Sequence, residues 1–145
     1  MALHKMKFSL LRNYRFLTFI FIKETKMTQN VVVILSCGTD NPNRATRALF
    51  LAAVARKKGK NVTVFLLDDG VYLARKGVAE GIKAATGDSA DDSLAHLQAH
   101  EVPILVCTPC AKSRFIEEKD LADSCRLATA AELIDLVCDA AVISL

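Results

Sequence analysis

Residues 31–36 read VVVILS, an apolar run with no alternation between two faces. A strand with one solvated face alternates apolar and polar residues. An unbroken run therefore implies a strand covered on both faces, as in a parallel sheet flanked by helices. The same character returns at 61–67 (NVTVFLL) and at 104–107 (ILVC). Between these runs the period changes. Residues 44–58 place Ala48, Leu49, Leu51, Ala52 and Ala55 at helical spacing and stop at Gly59, with Asn43 or Thr46 as the expected cap. Residues 89–100 predict a second helix, with Asp91 and Asp92 complementing the dipole in its first turn. Residues 71–76 predict a short helical piece, and 110–115 a helix opened by Pro109. A helical turn or connector is expected at 121–125, a fourth strand at 126–128, a last helix at 130–138 and a fifth strand at 141–145. Strands alternating with helices predict a doubly wound α/β sheet with helices on both faces.

The first 26 residues differ in character. Six Lys/Arg against one Glu give them a surplus of +5, whereas 13 Lys/Arg and 15 Asp/Glu leave residues 27–145 at −2. The overall charge of +3 therefore does not describe the α/β portion, and no nucleic-acid partner is expected. The apolar stretch 16–22 is far shorter than the roughly 20 residues of a membrane span, and no small-residue cleavage site follows it. An amphipathic surface anchor is one reading of the segment. The favoured one starts from Lys23-Glu24, which can be encoded AAG-GAG, a purine-rich ribosome-binding sequence just ahead of Met27. Residues 1–26 are thus expected to be a leader or non-native extension outside the fold, and 27–145 a single domain with no membrane partner. Five cysteines are too few for a disulfide scaffold, so reduced thiols in a cytoplasm are expected.

In an open parallel sheet, sites lie beyond the carboxyl ends of the strands. Cys37 follows the first strand, Asp68 and Asp69 the second; Cys107 ends the third, and Cys110 completes a C-x-x-C one turn later. Cys110 is the expected nucleophile: backbone N–H groups at a helix start favour a thiolate, and Lys112 and Arg114 add positive charge. Cys107 is either a second working thiol or a small buried hydrophobe, expected to point into the core while Cys110 points outward. Cys125 and Cys138 read as structural, the latter on an apolar face with Leu133, Ile134 and Val137, so Cys110 is expected to be the more reactive. The spacing alone leaves open a redox disulfide, a zinc half-site, a sulfur carrier, or two thiols that merely fit. One C-x-x-C plus Cys37 gives only three zinc ligands, and His96 with His100 reads as a solvated pair, so no metal or cofactor is expected. The loop GTDNPNR matches no dinucleotide or Walker pattern. Its Asp40, Asn43 and Arg44 are candidate substrate or anion contacts at a helix start, together with Lys112 and Arg114. Asp68-Asp69-Gly70 reads as a turn in preference to a Mg²⁺ site.

Two stretches, GTDNPNRATRALFLAAVARKKGKNVTVFLLDDGVYLARKG and VPILVCTPCAKSR, resemble the DsrE/DsrF/DsrH-like family of small sulfur-relay proteins. The resemblance extends over residues 31–145 and is nearest the family's peroxiredoxin-like subgroup. It implies a three-layer α/β/α domain on a five-stranded parallel sheet, assembled as a homo-oligomer, commonly a trimer or hexamer. It also implies an activity: sulfane sulfur carried as a cysteine persulfide between sulfur-donor and sulfur-acceptor proteins. By its place in the loop after the third strand, Cys110 matches the carrier cysteine, with Cys107 as the second candidate. The chain departs from the family pattern at Phe115, where related loops often have Gly, and in having two loop thiols. The expectation is a cytoplasmic sulfurtransferase or sulfur carrier. A non-catalytic oligomeric binding module and a thiol–disulfide oxidoreductase using Cys107 and Cys110 are the alternatives.

Overall fold

The computed structural model describes residues 28–145; the leader expected over 1–26 lies outside the described residues. Five strands, β1 (Asn30–Leu35), β2 (Asn61–Leu66), β3 (Ile104–Cys107), β4 (Cys125–Ala128) and β5 (Ala141–Ser144), form one sheet. Their order is β4-β3-β2-β1-β5, and every pair is parallel. The helices are α1 (Pro42–Lys57), α2 (Ala90–Ala99), α3 (Thr108–Ser113) and α4 (Ala130–Val137), with 3-10 turns at Asp68–Ala74, Ala79–Gly81 and Glu118–Asp120. None of the described helices is long and apolar enough to cross a membrane.

The three layers follow from the strand order. From β1 to β4 the chain steps in one direction, and right-handed crossovers keep α1 and α2 on one face. The return from β4 to β5 runs the opposite way and brings α4 to the other face. Alternate strand residues serve the two cores. Val33, Val64 and Ile104 share a row under α1 and α2, joined by Leu35, Leu49, Leu66, Leu97 and Val106. Phe65, Leu105, Cys107 and Ala128 form a smaller cluster on the opposite face, against Leu133 and Leu136 of α4. That second layer is thin. No residue of α4 is fully buried, and Ile134 and Val142 stand 58% and 46% exposed.

Local chemistry explains where the elements begin and end. α1 starts two residues before the expected position because Asn41, not Asn43 or Thr46, is its cap. The Asn41 side chain accepts from the Arg44 N–H at 3.2 Å, and Pro42 suits the first turn. Thr46 is buried, and Asn43 Oδ1 accepts from the Ala85 N–H at 2.7 Å. Gly59, at φ +77, closes α1: its N–H and that of Lys60 return to the carbonyls of Arg56 and Ala55. The expected helix at 71–76 is instead a 3-10 segment that begins at Asp68. Residues 121–125 are a connector that turns at Asp123-Ser124 and enters β4 at Cys125. Leu121 bridges Arg75, and the Ala122 N–H donates to the Ala74 carbonyl at 2.8 Å.

Candidate functional site

β3 runs into α3 without a loop. The Thr108 hydroxyl donates to the Ala128 carbonyl at 2.9 Å, tying the helix start to β4, and Pro109 supplies a preset φ in the first turn. Cys107 ends the strand, buried in the α4-side cluster. Cys110 follows as the third helical residue, half-buried and touching both cores. All five cysteines are free thiols. Cys107 is thus the more buried of the two loop thiols, and both Cys110 and Asp68 bear on its charge. α3 has only six residues, so its dipole is a lesser influence on Cys110 than the side chains around it.

Those side chains come from the next strand. β2 lies beside β3, which brings Asp68 and Asp69 against α3. The Cys110 thiol donates to Asp68 Oδ1 at 3.8 Å. Arg114 Nε donates to Asp69 Oδ1 at 2.8 Å, and Nη2 pairs with the same oxygen at 2.8 Å. Its Nη1 donates to the Cys110 carbonyl at 3.2 Å, and the guanidinium lies 6.0 Å from the Tyr72 ring centroid. The bond to Asp69 holds Arg114 above its ordinary pKa. Arg114 is therefore a strut between α3 and the β2 loop, and its charge also bears on Cys110.

The other candidates separate into a second group. The Asp40 carboxylate accepts from the Gly38 N–H at 2.6 Å, Asn43 holds Ala85, and Arg44 is exposed. Asp40 and Arg44 act on Cys37: burial pushes that thiol up, Arg44 opposes the shift and Asp40 adds to it. Among the described residues none of the three hydrogen-bonds to Cys107 or Cys110. Lys112 is exposed on α3. Asp68 and Asp69, placed at this edge by the sequence but read as a turn, thus join the site, and Tyr72 is the residue that sequence reasoning missed. The D-D-G after β2 was the available signal, but its meaning depends on β2 and β3 being neighbours. Among the described residues no group of three or more His, Cys, Asp or Glu side chains is arranged to hold a metal. A groove of about 480 Å³ lined by Asn30, Asn61, His100 and Asp139 opens at the amino ends of the strands, the edge opposite Cys110.

The thiols differ in access and in charge state. Burial pushes Cys125 up to about 11 and raises Cys107, where the Cys110 backbone N–H opposes the shift. Cys138, expected on a packed apolar face, lies exposed at the C-cap of α4, because the thin second layer leaves that end uncovered. Alkylation at pH 8 is accordingly expected to label Cys110 and Cys138 ahead of Cys37, Cys107 and Cys125. Timed iodoacetamide labelling with peptide mapping reads the order, and early labelling of Cys125 contradicts it. Any preference for Cys110 over Cys138 comes from its neighbours, since both are accessible.

The end of α3 explains the departure at Phe115. The N–H groups of Phe115 and Ile116 return to the carbonyls of Lys112 and Ala111, a Schellman closure. It puts Phe115 at φ +54, a conformation that favours Gly. The ring is 91% exposed, so no burial offsets the strain. Phe115→Gly is expected to stabilise the fold by about 1 kcal/mol. Urea denaturation measures it, and a destabilised variant contradicts it.

Residues 29–145 match the family model described as the DsrE/DsrF-like family. An uncharacterized protein of Methanopyrus kandleri is 29% identical over 113 residues, 74% of this chain and 85% of its own. An uncharacterized protein of Methanocaldococcus jannaschii is 32% identical over 109 residues, 72% of this chain and 89% of its own. The crystal structure of the ychN protein from E. coli superposes with a TM-score of 0.67 at 24% identity, covering 82% of this chain and all of that one. A protein of unknown function from Methanobacterium thermoautotrophicum superposes at 0.54 and 14% identity, covering 80% and 98%. At these identities the superpositions establish a shared fold.

Proposed function

The chain belongs to the DsrE/DsrF-like family, and on that premise we propose that it is a cytoplasmic sulfur-transfer protein carrying sulfane sulfur as a persulfide on Cys110. The observation that carries this reading is a half-buried, accessible thiol at the carboxyl edge of a parallel sheet, with a carboxylate within reach and a second thiol at the end of the preceding strand. Cys110 sulfur attacks the outer sulfur of a donor persulfide. The new S–S bond forms as the donor S–S bond breaks, and the donor leaves as a thiol. A thiol of an acceptor protein then takes the outer sulfur by the same exchange. Homo-oligomerisation belongs to the proposal, supported by the exposed Ile134 and Val142 and by a last helix with no fully buried residue. Light scattering over a range of concentrations tests the assembly, and a monomer throughout removes it.

The C-x-x-C that joins Cys107 at the strand end to Cys110 in the following helix supports a second reading, thiol–disulfide exchange. Incubating the reduced chain with glutathione persulfide separates the two. Sulfur transfer gives an intact mass increased by one sulfur atom, and dithiothreitol releases that sulfur as sulfide. Loss of two hydrogens in the wild type, together with no added sulfur on Cys107→Ser, supports the disulfide reading instead, because Cys107 attacking a loaded Cys110 would also leave a disulfide. A chain of unchanged mass counts against sulfur transfer.

A further inference from the structure

We infer that Asp68 is a catalytic residue that carries the proton in sulfur transfer at Cys110; this inference rests on the sulfur-transfer reading above. Two neighbouring carboxylates follow β2, and their surroundings assign them different work. Asp69 is held by Arg114 through two contacts of 2.8 Å, so its charge is committed to positioning α3. The Asp68 carboxylate meets the Cys110 thiol at 3.8 Å and makes no other hydrogen bond among the described residues. The groups facing it are Cys107 and Cys110 on the β3–α3 segment, with Asp69, Tyr72 and Arg114 behind. Asp68 is exposed, so a donor persulfide approaching Cys110 meets the carboxylate as well.

Backbone geometry adds a second observation. Asp68 sits at φ +42, a left-handed conformation that Asp adopts more readily than most residues and Gly most readily of all. A carboxylate therefore stands beside the Cys110 sulfur at a position where Gly would also fit. Electrostatic activation does not explain it, because a carboxylate beside a forming thiolate opposes the new charge. A carboxylate can accept the thiol proton outright. In the transfer step the Cys110 S–H proton moves to Asp68 as the Cys110 sulfur bonds to the donor's outer sulfur. The donor S–S bond breaks, its electron pair stays on the inner sulfur, and Asp68 delivers the proton there. Cys110–SH and R–S–SH become Cys110–S–SH and R–SH, with no external oxidant or reductant.

The test compares wild type with Asp68→Asn and Asp68→Gly, the latter suited to the positive φ and so expected to fold. Sulfur uptake from glutathione persulfide is timed by quenched intact mass between pH 6 and 8. Cys110 alkylation by iodoacetamide, whose leaving iodide needs no proton, is timed in parallel. Both variants are expected to take up sulfur about 100-fold more slowly, with alkylation slowed by less, since it needs the thiol proton removed but none delivered to a leaving sulfur. Wild-type uptake by either variant overturns the role of Asp68 alone. So does an equal loss of uptake and alkylation, which marks a purely structural part. A wild-type chain that takes up no sulfur overturns the sulfur-transfer reading, and this inference with it.

Discussion

Cys110→Ser is expected to abolish sulfur loading while the fold survives. Only a thiol can hold sulfane sulfur as a persulfide, and a hydroxyl at the same place leaves no site for the S–S bond. Cys110 is half-buried, and its side chain contributes only part of its surface to the cores, so stability should change by no more than about 1 kcal/mol. Cys107→Ser makes the opposite trade. Cys107 lies 7% exposed among Phe65, Leu105 and Ala128, so a serine hydroxyl there loses water and costs about 1–3 kcal/mol. Loading should persist, while release of the sulfur changes with the neighbouring thiol gone. Intact mass after exposure to glutathione persulfide, read beside a urea melt, separates the two variants. Loading of Cys110→Ser at the wild-type level would transfer the carrier role to Cys107 or Cys37.

Gly38→Ala and Gly70→Ala are expected to cost about 3 kcal/mol each, the upper range for forcing atoms into a packed site. A Cβ on Gly38 would run into the Asp69 carbonyl oxygen, and one on Gly70 into the Leu35 carbonyl oxygen. Backbone meets backbone at both places, so no side chain can swing aside. The Leu35 carbonyl is also committed, accepting from the Leu67 N–H at 2.9 Å. These contacts seat the β2 loop on the end of β1, and that loop carries Asp68 and Asp69. Sulfur loading should therefore fall with stability. Gly81→Ala is the control: nothing lies within 4 Å of its Cβ position and its φ is unexceptional. It should stay within about 0.5 kcal/mol of wild type in the same urea melt. Equal behaviour of all three variants would contradict the interlock.

The strands were legible because double-sided burial leaves little room for another reading. Residues 104–107, apolar throughout, are β3, and the VVVIL run is the interior of β1. The C-x-x-C was legible as well, since a strand end followed by Pro109 forces both thiols to one edge. Three features depended on tertiary neighbours that spacing does not encode. Asp68 reaches Cys110 only because β2 and β3 are adjacent. Cys138 follows an apolar helix, yet α4 covers the face with least to pack against it. Arg114 is near Cys110 in sequence, and its guanidinium is also bound by Asp69, 45 residues away. The loop of Asp40, Asn43 and Arg44 has the composition of an anion site. Asp40 and Asn43 bind backbone N–H groups, and Arg44 stands near Cys37.

The central claim is that one particular sulfur atom, Cys110 Sγ, carries the cargo. Peptide mapping of the wild-type chain after loading from glutathione persulfide and trapping with iodoacetamide tests it most directly. The added sulfur is expected on the peptide containing Cys110, as a trapped persulfide at that residue. Sulfur found on Cys37, Cys107 or Cys138 with Cys110 unmodified, or on no cysteine at all, would contradict the account.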